Sequence, residues 1–146
     1  MRILCLDYGE KYIGVAVSDP LGITAQGVGV IRRQNLKQDL SQIRKYLEEY
    51  DVEEVVLGFP RNMDGTVGSK AREVLSFQET LAAKIDLPVL TWDERLTTAA
   101  ARRTLLEADV SRKGRKKVID KLAAVFILDS YLRSGKPKKP SRKDAN

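Results

Sequence analysis

Three short apolar segments open the chain, at residues 2–7, 12–18 and 23–31, and only the turns Tyr8-Gly9-Glu10-Lys11 and Asp19-Pro20-Leu21-Gly22 separate them. Connections this short leave no room for a crossover, so consecutive segments pair antiparallel. The first segment is apolar almost throughout, as a central strand covered on both faces would be. The chain is therefore expected to begin with a three-stranded antiparallel meander.

The apolar period then changes. Leu36, Leu40, Ile43 and Leu47 recur at helical spacing behind Asn35, a favourable N-cap. Val55-Val56-Leu57-Gly58 reads as a short buried parallel strand, and the loop 59–65 follows. Ala71, Val74, Leu75, Gln78, Leu81 and Ala82 mark the inner face of a second helix, with a residue between Thr66 and Ser69 as its cap. A fifth strand is expected at 88–92, a helix at 97–108, a basic loop at 111–117 and a last helix at 118–132. The order β-β-β-α-β-α-β-α-α predicts an α/β fold. Its sheet is mixed and five-stranded, the meander plus two parallel strands, with helices on both faces. Residues 1–133 are expected to form one domain and 134–146 a basic, flexible tail without large apolar residues to anchor it.

What the chain lacks narrows its chemistry. It has no histidine and one cysteine. Histidine-dependent triads, histidine general bases and the usual zinc sites are excluded, and Cys5, within an apolar run, reads as a buried strand residue. No apolar run approaches the ~20 residues of a membrane span. The N-terminal apolar stretch is too short for a signal peptide and is interrupted by Asp7. The expected location is the cytoplasm, with no membrane partner. Net charge is +6, but residues 111–117 carry five positive charges, and residues 133–146 hold six basic residues against one acid. A mildly acidic body with two basic segments suits a polyanion gripped locally.

Three carboxylates from separate elements are candidates for chemistry. Asp7 closes the first strand before Tyr8-Gly9, at a sheet rim where open α/β folds bind ligands; a turn that organises the hairpin explains it equally well. Asp93-Glu94-Arg95 closes the fifth strand. Alternation sends the two acids to opposite sides, so one enters a site while the other caps or pairs, and Glu94 is favoured for the site. Asp120 shares a helical face with Ala124, Ile127 and Tyr131, where a carboxylate is costly unless a cation or hydrogen bonds satisfy it; an acid in a helix first turn is the plainer explanation. Asp129 is turned away from that face and is expected to pair with Arg133. Oxygen ligands without histidine suit Mg²⁺ or Mn²⁺, and two such ions would activate water and stabilise the leaving oxygen of a phosphodiester. Arg61 and Asn62 in the loop after the fourth strand, and Arg95 beside Glu94, are candidate contacts to phosphate or sugar. Arg112, Lys113, Arg115, Lys116 and Lys117 form a basic flap just ahead of Asp120.

With these pieces in place the chain resembles the YqgF (RuvX) family, the pre-16S rRNA nucleases also called Holliday-junction-resolvase-like proteins. The resemblance covers about residues 1–133. It rests on Leu6-Asp7-Tyr8-Gly9 with residues 13–19, on residues 58–65, on Asp93-Glu94-Arg95-Leu96-Thr97-Thr98, and on Asp120 with Leu122-Ala123-Ala124. It implies a ribonuclease H-like fold, an acidic set of Asp7, Glu94 and Asp120, and processing of the 5′ end of pre-16S rRNA. The implied partners are an rRNA precursor ahead of a DNA junction, and the small ribosomal subunit; a monomer and a homodimer are both open. Two rival readings stand beside it. One is an actin-like or sugar-kinase-type ATPase, which needs a second phosphate-binding hairpin and more chain than this. The other is a non-catalytic RNA-binding factor in ribosome assembly, with the carboxylates serving structure.

Overall fold

The computed structural model describes residues 2–62, 64–96 and 115–134, with the side chains of all of these except residues 96 and 115–120. The expected helix at 97–108, Arg112, Lys113 and nearly all of the tail lie outside the described residues. Within them the chain runs β1 (Arg2–Tyr8), β2 (Tyr12–Ser18), β3 (Ala25–Arg32), α1 (Leu36–Glu49), β4 (Val52–Phe59), α2 (Ser69–Lys84), β5 (Val89–Asp93), a 3-10 turn (Glu94–Leu96) and α3 (Arg115–Arg133).

The five strands form one sheet in the order β3-β2-β1-β4-β5. β2 pairs antiparallel with β1 and β3, while β4 runs parallel to β1 and β5. The expected mixed sheet is therefore present. β1 lies at its centre, which explains its unbroken apolar character: Leu4, Cys5 and Leu6 are fully buried. Alternation splits the core between two faces. Leu4, Leu6, Val15, Val55 and Leu57 pack with Leu40 and Ile43 of α1 and with Ala71, Val74, Phe77 and Leu81 of α2. Cys5, Ala16, Val56 and Trp92 pack on Ala124, Ile127 and Leu128 of α3. Among the described residues, no helix is long and apolar enough to cross a membrane.

Local chemistry sets the element ends. Asn35 caps α1 as expected, its side-chain oxygen accepting from the Gln38 amide. β3 begins at Ala25, later than the apolar run, because Asp19 Oδ1 accepts the amides of Ile23 and Thr24 at 2.6 and 3.0 Å and keeps them in the turn. α2 is rotated from the expected face. Phe77 is buried, stacked on Tyr8 with ring centroids 4.2 Å apart, and Leu75 is left 37% exposed; the larger aromatic surface decides which side turns inward. Its N-cap is Gly68, which makes no side-chain cap, and the Thr66 hydroxyl donates to Asp64 instead. α3 starts at Arg115, so Arg115, Lys116 and Lys117 belong to the helix rather than to a loop. Arg and Lys are good helix formers, and no breaker separates them from the apolar stretch.

The far end of α3 is fastened to the sheet by polar contacts. Tyr131 donates its hydroxyl hydrogen to the buried Glu54 at 2.5 Å, and Trp92 Nε1 donates to Ser130 Oγ at 3.1 Å. Burial and the Glu54 carboxylate push the Tyr131 phenol up. Glu54 also explains why β4 is longer than its apolar run: the acid turns inward and finds a partner. Asp129 pairs with Arg133 at 3.1 Å, as expected. Replacing Tyr131 with Phe removes a donor and leaves Glu54 under-satisfied, so denaturant unfolding should show a loss of about 1–3 kcal/mol. Unchanged stability would mean that the clamp contributes nothing.

Candidate active site

Asp7 stands one residue before the end of the central strand and is only 3% exposed. The parallel register Leu6↔Leu57 brings it level with Gly58 on β4, and Gly58 in turn pairs with Trp92 on β5. Alternation puts Asp7 on the face of Cys5, the face that α3 covers. Glu94 opens the 3-10 turn after β5 and is 6% exposed. Its carboxylate folds back over β4: a Cβ built on Gly58 would lie 3.3 Å from Glu94 Oε2 and 2.6 Å from Ile127 Cδ1. Gly58 is thus the floor beneath Glu94, at the strand beside Asp7.

Cys5, two residues before Asp7 on the same face of the strand, feels both acids. The buried Cys5 thiol is pushed well up, first by burial and then by the negative charges of both Asp7 and Glu94. Two carboxylates buried at one sheet end suit a cation held near them. They meet at the carboxyl ends of β1 and β5, where open α/β sheets place ligands. All donors are oxygen, which fits Mg²⁺ or Mn²⁺ rather than softer ions. Among the described residues no three Asp, Glu or Cys side chains gather to hold a metal. Asp7 and Glu94 make up two of the expected three, and the side chain of Asp120 lies outside the described set. The backbone of Asp120 is in α3, one turn ahead of the buried Ala124.

The choice between Asp93 and Glu94 has a physical answer. Asp93 accepts from Arg95 three ways, from the backbone amide at 2.9 Å and from Nε and Nη2, the last at 2.8 Å. Those bonds hold its carboxyl below the usual range. Asp93 is therefore the pairing acid, and Glu94 is the acid that turns inward.

The expected phosphate contacts fall into three groups. Arg61 and Asn62 are exposed on the loop after β4, at the same end of the sheet, with the Arg61 guanidinium 5.3 Å from the Phe59 ring centre. Asn62 braces its own turn through Thr66, and the turn is completed by Gly65 at φ +89°, where an L side chain is strained. Arg95 is engaged with Asp93, and its Nη1 would lie 3.4 Å from a Cβ at Gly65. Its guanidinium thus lies beside the loop that carries Arg61 and Asn62. Arg115, Lys116 and Lys117 lie in α3 with side chains outside the described set. The sequence marked Cys5 as a buried strand residue and Gly58 as a conformationally free one, but not the contact of Gly58 with Glu94 and Ile127. A glycine inside a strand run is the one available signal, since it marks close approach; at Gly58 the need is space rather than an unusual backbone angle.

Comparison with known proteins follows the same line. A sequence profile described as "RuvX: Holliday junction resolvase" matches residues 1–134. A Desulforamulus reducens protein named "Putative pre-16S rRNA nuclease" is 57% identical over 135 residues, 92% of this chain and 98% of its own. A Listeria monocytogenes protein of the same name is 58% identical over 134 residues, 90% of this chain and 97% of its own. Among solved structures, Thermus thermophilus RuvC is similar at a TM-score of 0.54 and 14% identity, covering 94% of this chain and 99% of its own. The fowlpox virus Holliday junction resolvase is similar at 0.52 and 17%, covering 92% and 99%. At such identities the likeness concerns the fold alone, and that fold is ribonuclease H-like.

Proposed function

This chain belongs to the RuvX family, and we propose that it is a cytoplasmic, metal-dependent endonuclease that hydrolyses phosphodiesters at the 5′ end of the 16S rRNA precursor. The observation that carries this reading is the burial of Asp7 and Glu94 together at one sheet end, each only a few per cent exposed. Two acids held there without histidine suit a metal-assisted hydrolysis better than a protein base. Asp7, Glu94 and Asp120 would hold the ions; when bound, Mg²⁺ or Mn²⁺ supplies an activated water and charge neutralisation at the leaving oxygen. The helical spacing of Asp120 from Ala124 and Ile127, both buried against the sheet, supports its place in the set.

The rest of the work falls to this chain's own residues. Asp7 sits on the central strand, so its carboxylate is held by a rigid element. Gly58 leaves the space that Glu94 occupies. Arg61 and Asn62 contact phosphate or sugar along the strand, and Arg95 keeps Asp93 out of the site while ordering the loop that carries them. Arg112, Lys113, Arg115, Lys116 and Lys117 add positive charge ahead of Asp120 for the substrate backbone. The RNA assignment draws on the names of relatives above one half identity. The family's description keeps a DNA four-way junction as the comparison substrate.

The test offers the full-length protein both substrates with Mn²⁺: a labelled 16S precursor with its 5′ leader, and a labelled DNA junction. Cleavage of the RNA by wild type, lost in Glu94→Gln, is expected. Cleavage of the junction alone would overturn the RNA assignment, and cleavage of neither would overturn the nuclease.

A further inference from the structure

A second cleft lies on the other side of β1 from the carboxylate pair. It encloses about 360 Å³, within the range of ligand pockets, ~300–1,000 Å³. Tyr8 follows Asp7 in the strand, so its side chain leaves the sheet on the opposite face. Phe77 stacks on it at 4.2 Å and 19°, and the Arg33 guanidinium lies 4.2 Å from the same ring centre. Arg33 is locked in place. Its Nη1 donates to the carbonyls of Gly9 and Glu10 at 2.9 and 3.1 Å, and its Nη2 to the Tyr8 hydroxyl at 2.6 Å. The Tyr8 ring is thus covered on both faces, by Phe77 and by Arg33, and the ordered guanidinium is the flat surface on which a base can stack. Leu36, 45% exposed despite its size, supplies an apolar edge.

The buried acid in this cleft is Asp39, only 7% exposed. Among the described residues its carboxylate accepts once, from the Gln34 backbone N–H, which reaches Oδ1 at 3.0 Å. Oδ2 accepts from none of them, and a carboxylate this buried gains from a second donor. Beside it, Asn35 spends its side-chain oxygen on the Gln38 amide at 2.9 Å. Its amide nitrogen meets no acceptor among the described residues. Three of the Arg33 hydrogens are committed to Gly9, Glu10 and Tyr8, and Asp39 brings a buried negative charge, so the cleft does not suit a phosphate. It suits a flat neutral ring with donors on one edge.

We propose that this cleft takes an unpaired guanine of the substrate strand, with Asp39 accepting from its ring N–H and amino hydrogens and the Asn35 amide donating to its carbonyl. Uracil presents its single N–H between two carbonyls, which a carboxylate repels. Adenine and cytosine each present one amino group without an adjacent N–H. Guanine alone combines two neighbouring donors with a carbonyl on one edge. Because Tyr8 and Asp7 are sequence neighbours on opposite faces, the bound base sits close along the strand from the phosphate at the carboxylates. It gives the nuclease a base preference beside its cut. The identity of the strand rests on the proposed function; the cleft and its polar pattern do not.

The test separates binding from cleavage. Full-length Asp7→Asn protein is titrated with three labelled oligonucleotides: all uridine, uridine with one guanosine, and uridine with one inosine, which lacks the amino group. The guanosine oligomer is expected to bind about tenfold tighter than the all-uridine one, the lower end of discrimination by a paired base contact, with inosine between them. Adding Asp39→Asn should erase the order. Independently of any change at Asp39, guanosine monophosphate added to the wild-type protein should shift the backbone amide resonances of Gln34, Asn35 and Asp39. Equal affinity for all three oligomers, or shifts confined elsewhere, would overturn the guanine site. Guanine-dependent binding by a protein that cleaves nothing would leave the cleft standing and remove the nuclease reading. Cleavage without guanine preference would do the reverse.

Discussion

Asp7→Asn is expected to lower single-turnover RNA cleavage about a thousandfold, equivalent to ~4 kcal/mol of transition-state stabilisation at tenfold per ~1.4 kcal/mol. The substitution keeps the shape of the side chain and removes its charge, so a hard cation loses a ligand while the packing around β1 stays. The same change should leave the metal-free protein at least as stable as wild type. Asp7 and Glu94 are both buried at one sheet end, and removing one of two buried negative charges lowers the cost of burying them. Denaturation in EDTA measures this directly. A variant with wild-type cleavage would remove Asp7 from the chemistry. A variant that unfolds would make the carboxylate structural, in line with the non-catalytic assembly factor.

Gly58→Val is expected to have the second-largest effect, and on both fold and activity. The first added carbon would stand 2.6 Å from Ile127 Cδ1 and 3.3 Å from Glu94 Oε2. Ile127 is fully buried between α3 and the sheet, so its methyl has no free space to enter. Overpacking of this kind costs about 1–3 kcal/mol. Glu94 is pushed off its position, and a misplacement of about 1 Å at a reacting centre costs on the order of a hundredfold. Adding Ile127→Ala should return part of the stability and little of the activity, because the valine still crowds Glu94. Such non-additivity is expected only of groups in contact. If Gly58→Val cleaves and unfolds like wild type, the glycine is not the floor of the site.

Much of the fold was legible because its signals are local. Two short turns impose the antiparallel meander, and Asn35 marks the start of α1 by its own hydrogen bond to Gln38. Where contacts are distant the reading failed. Periodicity alone favoured Leu75 for the inner face of α2, since nothing in one dimension shows that Phe77 meets Tyr8. Glu54 looked like the polar end of a strand until Tyr131, 77 residues away, supplied its partner. Charge made residues 115–117 look like loop, although Arg and Lys favour helix.

At the site, strand alternation separated Asp93 from Glu94 without saying which turned inward. That depended on Arg95, two residues on, taking Asp93. The residue types of the acids pointed to metal chemistry. Their convergence at Gly58 depends on the pairing of three strands, which no spacing along the chain reveals.

The metal reading is tested most directly by a crystal of the full-length protein soaked in Mn²⁺ and measured at the manganese absorption edge. Anomalous peaks are expected against the carboxylates of Asp7 and Glu94, at the carboxyl ends of β1 and β5, and absent there from a crystal of Asp7→Asn treated alike. No peak at that sheet end in the wild type, or an equal peak in the variant, would contradict it.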